Sequence, residues 1–564
     1  MPHPSHLPHP SHPSYLSHPS RRTLLRSIAA GGAALAAPAL LTACSTGSGG
    51  GDVSNAGKKA APWPTYAPAE GPAPDLPPTS DGVQPGFTSY PHKLVDATSG
   101  KPGTGKEKIR VLTITYGTPP KPVGSNAYWQ AMNAALGVDV EFTVVPDADF
   151  RAKMATLMAG DSDDLPDVLN IGGGYVLPRE AQFVRARCAD LTGHLSGDAV
   201  KDYPNLAAIP TYAWQGMGRI AGRIYGLPVE RAKVQGAMFL NREAFADAGY
   251  EPGMTADAFR TMAKEASGGK KHALGASTVS YYGYLYHALW HGAPNEWRIR
   301  GGSVTPMYGT DEFRAALEFM AKLRADGSYN ADATSLSQVD LKTLFYNGTV
   351  RSMTDGWGAV LSNAQGIKDA YTLDVAEPYA VAGATPRYQQ NRGCFGYTVI
   401  KKAPKERIRL ILRVLDWLAS PFGSKEYELA HYGVEGTHFT YDRNGDPIPT
   451  ERGLIESRTN LPFPYVMDAP QPLYFPGHAD LTKRLHAWEK KVVPLLAPND
   501  RWGLQSATFN RQGAALQQIV EDGVTAVVSG RKPLSAWDGV YKKWRAQGGD
   551  KCAEEFAAEY EAAH

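Results

Sequence analysis

The stretch Ile109-Arg110-Val111-Leu112-Thr113-Ile114-Thr115-Tyr116 decides the fold class of this chain. Its β-branched residues predict a strand, which Gly117 ends. Residues 127–136 follow with a helical pattern, and residues 138–144 then alternate apolar and polar side chains as a second strand does. A strand, a helix and a strand at this spacing are typical of a parallel crossover unit. We therefore predict an α/β fold.

The same alternation of elements continues along the chain. Residues 149–159 are predicted to form a second helix, and residues 165–171 a short buried strand that runs into Gly172-Gly173-Gly174-Tyr175. These glycines lack a following lysine and the spacing of a dinucleotide site, so they indicate a turn at the carboxyl end of a strand. Amphipathic helices are predicted at residues 310–326 and 404–419. A chain of 564 residues is long enough for two or more lobes with separate cores.

The amino-terminal region carries export and anchoring signals. The pair Arg21-Arg22 precedes an apolar run at residues 28–41 that is too short to span a bilayer, which predicts a twin-arginine signal over residues 1–43. The following Leu41-Thr42-Ala43-Cys44 resembles a bacterial lipoprotein processing site, so we expect a lipid on Cys44 and a location on the outer face of the cell membrane. A plain secretory signal with an accidental cysteine is the alternative.

Residues 44–105 are rich in Gly, Ser, Ala and Pro and show no periodicity. We predict a disordered tether that holds the body on the order of 40 Å from the lipid. Docking of residues 87–94 on the body is left open by the sequence.

Composition limits the classes of partner. The formal net charge is +2, so no large basic face is predicted and nucleic acid is not an expected partner. Hydrophobic residues (43%) and charged residues (20%) are in the range of a soluble globular protein, which we expect to be a monomer. The 11 Trp and 28 Tyr are the informative surplus, because such rings line clefts and stack on sugar faces.

Metal and disulfide chemistry are not favoured. Besides Cys44 the chain has only Cys188, Cys394 and Cys552, without a Cys-x-x-Cys spacing, so at most one disulfide can form and a zinc site is not expected. The run Asp442-x-Asn444-Gly445-Asp446 is similar to a calcium loop but lacks the later Glu, and a β-turn is the preferred interpretation. No cofactor is predicted.

Several blocks in order resemble the extracellular solute-binding proteins of ABC importers, in the large lipoprotein branch associated with complex carbohydrates. The resemblance covers residues 106–564, and its most specific blocks are Leu165-Pro166-Asp167-Val168, Tyr225-Gly226-Leu227-Pro228, Asn347-Gly348-Thr349 with Trp357, Tyr432-Gly433-Val434-Glu435-Gly436-Thr437-His438, and Gly530-Arg531 with Trp544 and Gly548-Gly549.

This resemblance implies a two-lobed periplasmic-binding-protein-like fold, with a ligand cleft between the lobes and two or three hinge crossings. We place the crossings near residues 227–239, 393–400 and 432–441. The corresponding boundaries are an N-lobe of residues 106–230 with a return segment at 393–431, and a C-lobe of residues 231–392 and 432–564.

The resemblance further implies that a carbohydrate, taken to be an oligosaccharide, is bound in the cleft and delivered to the permease subunits of an ABC transporter. Aromatic rings and polar side chains near strand ends and crossings are the candidate ligand contacts: Tyr116, Asn126, Trp129, Tyr175, Trp214, Glu230, Trp290, Trp357, Arg392 and Glu435. Trp357 leads this set, because Gly356 and Gly358 let the backbone approach the cleft. The three charged candidates are equally consistent with a hinge salt bridge or a capped turn.

Two other classes of function remain open. A polysaccharide-degrading enzyme, a glycosidase or a lyase, requires an acid and base pair, for which Glu435 and His438 are available without an evident partner carboxylate. A peptide-binding or adhesion lipoprotein is the other alternative, because aromatic clefts also take peptides. We expect binding without catalysis.

Overall fold

The computed structural model describes residues 53–172, 175–368, 370–457 and 460–563. The signal, Cys44 and the first part of the predicted tether lie outside the described residues, as do Gly173 and Gly174 of the predicted turn. All described residues belong to one compact unit, Gly50–His564.

The described residues form fourteen strands. They are β1 (Glu107–Thr115), β2 (Val138–Pro146), β3 (Val168–Ile171), β4 (Gly226–Glu230), β5 (Gly236–Asn241), β6 (Trp297–Arg300), β7 (Ser303–Pro306), β8 (Ser352–Gly356), β9 (Leu373–Val375), β10 (Tyr388–Gln389), β11 (Cys394–Ile400), β12 (Phe439–Tyr441), β13 (Pro447–Pro449) and β14 (Leu496–Ala497).

Twenty α-helices lie in the same ranges. They are α1 (Ala127–Leu136), α2 (Asp147–Ala159), α3 (Glu180–Arg187), α4 (Thr192–Leu195), α5 (Pro204–Ala207), α6 (Thr211–Met217), α7 (Arg242–Asp247), α8 (Ala256–Glu265), α9 (Tyr284–Trp290), α10 (Asp311–Ala325), α11 (Gln338–Tyr346), α12 (Val360–Ile367), α13 (Lys405–Leu418), α14 (Lys425–Tyr432), α15 (Glu451–Glu456), α16 (Phe463–Val466), α17 (Ala479–Val492), α18 (Ala507–Val528), α19 (Trp537–Trp544) and α20 (Asp550–Ala563).

The first lobe is built on a five-stranded sheet in the order β2-β1-β3-β11-β4. Strand β1 is parallel to β2 and β3, which confirms the crossover unit predicted from the sequence, and β11 is antiparallel to β3 and β4. Alternate residues of β1 enter two separate cores, with Ile109 and Val111 on one face and Leu112 and Ile114 on the other. Both faces are covered, which explains why five of the nine residues of this strand are β-branched.

The second lobe surrounds a three-stranded antiparallel sheet in the order β8-β5-β9. Helix α10 packs on this lobe through the face predicted from its spacing, and these side chains are buried: Phe313, Ala316, Leu317, Met320 and Leu323. Burying a side chain of this size stabilises the fold by about 1.5–3 kcal/mol. Thr310 caps the helix by accepting the Phe313 N–H at 3.2 Å.

After residues 53–105, the described part of the chain passes between the two lobes three times. Residues 231–235 lead from β4 in the first sheet to β5 in the second, and residues 390–393 lead back from β10 to β11. The third passage is residues 468–472, because Met467 packs in the first-lobe core and Leu473 in the second-lobe core. The first crossing lies within the predicted range 227–239, whereas the second precedes the predicted range 393–400, which forms β11 of the first lobe, and overlaps it only at residue 393.

The prediction of a crossing at residues 432–441 is wrong. These residues end α14, turn through Gly433 (φ 86°) and Gly436 (φ 72°), and enter β12, which pairs with β13. The glycines serve a tight turn whose first residue lies against the His438 ring, and not a hinge. The return segment of the first lobe therefore continues beyond residue 431, as far as Met467.

Residues 53–105 lie along the folded body, and we call this segment the strap. It buries side chains against both lobes: Val53, Ala61, Val83, Phe87 and Tyr90. Its backbone also pairs with the body, since the Ala61 N–H donates to the Gly222 carbonyl (2.8 Å). The predicted disordered tether is wrong for these residues. A proline-rich extended chain buries single side chains at irregular intervals, so no periodic pattern reveals it.

The described residues contain no helix that is both long and apolar enough to cross a membrane. Cys188, Cys394 and Cys552 are buried free thiols, so the structure pairs none of the three cysteines that the sequence left open.

Candidate ligand-binding site

The ends of several strands meet where the chain passes between the lobes. Strands β1 and β3 end there, and β11 begins beside them, with Tyr397 opposite Ile171. On the second sheet, Gly236 at the start of β5 lies opposite Gly356 at the end of β8. Only residues 231–235 separate the two sheets along the chain, so these ends lie within about 20 Å of each other. We call this region the crossing edge.

Three aromatic rings form a cluster on the first-lobe side of the crossing edge. The rings of Phe395 and Tyr465 stack with centroids 4.8 Å apart, and Tyr116 meets Tyr465 edge-on at 6.0 Å. Phe395 is presented at an irregularity in the pairing of β11 with β4, and the Arg231 guanidinium lies 5.4 Å from its ring centre. This aromatic cluster offers flat, partly accessible faces to a ligand.

Tyr116 is accessible at the crossing edge. Its side chain is 51% exposed, and its ring meets Phe395 edge-on with centroids 6.4 Å apart. Burial raises the pKa of its hydroxyl well above the usual value, and Asp147 adds to this effect. A small molecule can therefore reach the ring.

Tyr175 stands beside this cluster. Its ring stacks on Phe150 (5.6 Å), and its hydroxyl donates to the Asp147 carbonyl at 3.0 Å. The Arg151 guanidinium lies 5.4 Å from the Tyr175 ring centre. Burial, followed by the hydrogen bond to Asp147, raises the pKa of Tyr175. The ring is thus held in one orientation at the strand ends.

The second lobe contributes an ion pair at the crossing edge. Lys342 Nζ lies 2.9 Å from Asp355 Oδ2, and both side chains are largely buried. Burial alone would lower the pKa of Lys342, but the ion pair outweighs it and the pKa is raised. Tyr465 of the aromatic cluster is near enough to Lys342 to contribute to this effect. A charged pair of one lobe therefore lies within electrostatic range of one aromatic ring of the other, Tyr465.

Glu230 lies at the end of β4, where the first crossing begins. It is 2% exposed and accepts hydrogen bonds from the Tyr212 hydroxyl and from the Gln471 N–H (3.3 Å). Burial raises its pKa to about 7. Gln471 belongs to the third crossing, so Glu230 joins two crossings and has no accessible face for a ligand.

Arg392 lies in the second crossing and is partly buried. Its Nε donates to the Cys394 carbonyl at 3.4 Å, and Glu180 is the carboxylate whose charge helps to raise its pKa. Glu180 itself accepts the Tyr397 hydroxyl at 2.6 Å. Of the three charged candidates, Arg392 is the one that lies in a crossing with part of its surface accessible.

The four predicted tryptophans and Asn126 are buried. Trp214 and Trp290 are fully buried in the first and second cores, and Trp129 is 7% exposed. Asn126 caps α1 by accepting the Trp129 N–H at 2.9 Å. Sequence position placed these residues near strand ends, but tertiary packing turns each of them inward, so the structure does not bring them to the crossing edge as accessible surfaces.

Trp357, the leading candidate, is also packed inside the second lobe. It is 7% exposed and lies between Trp488 (4.9 Å, 23°) and Phe239 (6.5 Å, 11°). With both ring faces covered, it cannot serve as a stacking platform in this conformation. The backbone requires neither flanking glycine, since a Cβ on Gly356 would meet nothing within 4 Å and one on Gly358 would meet only the Arg231 side chain at an ordinary contact distance of 3.9 Å.

Glu435 is exposed and lies in the turn before β12, away from the crossings. His438 is buried, with its Nε2 at 3.4 Å from Glu456. In the neighbouring loop, Asp442 accepts the N–H groups of Asn444 and Asp446 at 2.8 and 2.9 Å, which is a β-turn. No group of three or more His, Cys, Asp or Glu in the described ranges is arranged to hold a metal ion.

Sequence reasoning missed Phe395, Tyr465, Lys342 and Asp355. Phe395 and Asp355 each stand beside a glycine at a strand end, which was a usable signal. Tyr465 and Lys342 lie on short helices far apart in the chain, and no local pattern brings them together.

Two α/β lobes, three crossings and accessible rings at the facing strand ends define a two-lobed binding protein. Residues 120–423, more than half of the chain, match the family of bacterial extracellular solute-binding proteins, and the chain belongs to this family. The predicted resemblance and the predicted fold class are both confirmed.

Similar proteins extend over most of the chain. It is 22% identical to the polygalacturonan/rhamnogalacturonan-binding protein YtcQ of Bacillus subtilis, over 82% of this chain and 93% of YtcQ. It is 20% identical to lipoprotein LipO of the same organism, over 82% of this chain and 94% of LipO. The solved structure of S. pneumoniae FusA, an ABC-transporter substrate-binding protein in complex with kestose, superposes with a TM-score of 0.61 at 16% identity, over 81% of this chain and 99% of FusA.

Proposed function

We propose that this protein binds a carbohydrate, an oligosaccharide, between its lobes and delivers it to an ABC importer. The observation that carries the proposal is the aromatic cluster of Tyr116, Phe395 and Tyr465, of which Tyr465 lies within electrostatic range of Lys342 in the Lys342–Asp355 pair of the other lobe. Membership of the solute-binding family and the names of YtcQ and FusA support the choice of a sugar.

The chemistry of the crossing edge suits a saccharide. A sugar ring has an apolar face that stacks on an aromatic ring, and a rim of hydroxyls that need donors and acceptors. Tyr116 and Phe395 supply the faces, while Asp355 and Arg392 supply acceptors and donors from opposite lobes. A ligand bound by both lobes favours the closed arrangement, which the permease subunits then recognise.

The same proposal includes the cellular location. A twin-arginine signal exports the chain, and a lipid on Cys44 holds it on the outer face of the membrane beside its transporter. The likeness to a lipoprotein of Bacillus subtilis supports the anchor.

We further propose that the protein does not turn its ligand over. A glycosidase needs two carboxylates facing one glycosidic bond. Glu435, the carboxylate that the sequence offered for this role, lies away from the crossing edge beside a buried His438. Peptide binding remains the competing ligand class for the same rings.

A thermal-shift and calorimetry screen of residues 50–564 tests the proposal. Oligogalacturonides, fructo-oligosaccharides, neutral galactans and a mixed peptide library are the ligands. A bound ligand at 100 times its dissociation constant adds about 2.7 kcal/mol of stability. Stabilisation by a saccharide that mass spectrometry then recovers intact supports the proposal. Stabilisation by peptides alone, or catalytic cleavage of a saccharide, contradicts it.

A further inference from the structure

A cavity of about 740 Å³ opens at the end of the second sheet opposite the crossing edge. Asn241 ends β5 there, Leu373 begins β9 opposite it, and Arg351 precedes β8. Five residues separate Gly236 from Asn241, so the cavity lies about 17 Å from the crossing edge. Its volume is within the range of small-molecule sites, and it is distinct from the aromatic cluster.

Positive side chains predominate around this cavity. The described lining residues include four cations and two carboxylates: Lys271, Arg351, Lys368, Arg484, Glu243 and Asp247. Of the carboxylates, Glu243 already accepts the Thr372 N–H at 2.9 Å. The walls therefore present more positive than negative charge to whatever enters.

The two arginines have unused hydrogen-bonding capacity. Arg484 Nη2 donates to the Leu373 carbonyl at 3.2 Å, but its Nε is buried without a partner among the described residues. Arg351 is partly buried, and in the described ranges it forms no ion pair within 4.0 Å. Arg242 beside them lies 3.8 Å from Asp374, a carboxylate that also lies within electrostatic range of Arg484. A buried donor without an acceptor is unfavourable, so an incoming acceptor is favoured.

We propose that this cavity is a second ligand site, which binds the oxyanion of a small molecule, a carboxylate or a phosphate, between Arg351 and Arg484. A guanidinium group presents its N–H donors in a planar fork that matches such oxyanions. Tyr371, which also lines the cavity and is partly buried, offers a ring edge or face to the rest of the ligand.

Calorimetric titration of residues 50–564 with inorganic phosphate, D-galacturonate and neutral D-galactose tests this site. We expect one or both anions to bind and galactose not to bind at this cavity. Arg351→Gln and Arg484→Gln should each weaken anion binding at least tenfold. Arg242→Gln is the matched control, because that arginine is paired with Asp374 and does not line the cavity, and it should leave the affinity unchanged.

A fourth variant distinguishes anion binding in the cavity from anion binding at the crossing edge. Phe395→Ala should leave the anion affinity unchanged if the ligand occupies the cavity. Lys271→Gln, on the exposed rim, should weaken binding less than the arginine variants and keeps the test independent of folding defects. The proposal is overturned if neither anion binds, if the arginine variants bind as the parent does, or if Phe395→Ala abolishes anion binding.

Discussion

The indole Nε1 of Trp357 donates a hydrogen bond to Oε1 of Gln84 at 3.0 Å. Gln84 belongs to the strap, and its own N–H donates to the Glu489 carboxylate at 2.9 Å. Burial raises the pKa of Glu489 to about 8. A residue predicted to bind ligand is therefore one that fastens the amino-terminal segment to the second lobe.

Trp357→Ala should destabilise the protein by roughly 3–5 kcal/mol, because removal of a buried Trp leaves a cavity. Trp357→Phe is the matched variant, since it keeps a ring against Trp488 while it loses the bond to Gln84 and part of the buried indole volume. Its cost should be smaller. Urea unfolding measures both, and calorimetry measures ligand affinity. A Trp357→Ala protein of normal stability that has lost its ligand would show that the ring reaches the ligand after all.

Removal of a ring from the aromatic cluster should weaken ligand binding more than stability, which is the reverse of the effect expected for Trp357→Ala. Phe395→Ala and Tyr116→Ala should each weaken saccharide binding by about 1–3 kcal/mol, an order set by burial of one ring against the ligand. The unliganded melting temperature should change little for Tyr116, which is half exposed. Tyr66→Ala in the strap is the control, since its side chain is 49% exposed and lies outside the cluster. If all three variants bound the saccharide with equal affinity, the binding site would have to lie elsewhere.

Glu230 should make stability fall between about pH 4 and pH 8. Its folded pKa is about 7, whereas an unfolded glutamate has a pKa near 4.3, so the folded state binds the extra proton in this interval. The stabilisation is therefore present at low pH and is lost as pH rises through 7, by up to about 3 kcal/mol.

The measurement is the free energy of unfolding of the parent and of Glu230→Gln across that range. The free energy of unfolding of the variant, which cannot ionise, should increase relative to that of the parent as pH rises. Glu489→Gln should show the same trend shifted to higher pH, since its pKa is about 8. A difference that does not depend on pH would mean that Glu230 titrates normally.

Glu559 of α20 should hold the start of the strap. Its carboxylate accepts the N–H groups of Asn55 (2.8 Å) and Ala56 (3.2 Å). Glu559→Ala removes this acceptor from the Asn55 N–H, while the Ala56 N–H keeps the Ser54 hydroxyl (3.1 Å), so we expect a loss of about 1–3 kcal/mol and faster hydrogen exchange, chiefly at Asn55. Glu554→Ala, on the exposed side of the same helix, should change neither. Unaltered exchange in Glu559→Ala would contradict the role.

Cys44→Ala should release the exported protein from the membrane or leave an unprocessed precursor. Fractionation of cells and the intact mass of the protein report the result. A normally processed variant that stays in the membrane fraction argues against the lipid anchor.

The sequence predicted those parts of the fold that depend on neighbouring residues. Strand β1, helix α1 and the buried face of α10 follow from β-branching and helical spacing, and they are confirmed. The class of protein followed from the order of several short blocks. These features required no knowledge of distant contacts.

The residues of the candidate site could not be predicted from neighbouring residues in this way. Whether Trp357 is a platform or a core residue depends on Trp488, which stacks on it from 131 positions away in the chain. The third crossing was misplaced because glycines at residues 433 and 436 suit a turn and a hinge equally well. Tyr465 and Lys342 meet only after both lobes have folded.

The strap also fixes how far the binding body can travel from its proposed anchor. Nine residues separate Cys44 from Val53, where the strap joins the body, and fully extended they reach at most about 32 Å. If the tether had extended to position 106, as predicted, its sixty-two residues would have reached roughly 220 Å when fully extended. The volume accessible to the ligand-bound protein around its anchor decreases with the cube of that radius. A shorter tether therefore raises the local concentration of the protein around its permease.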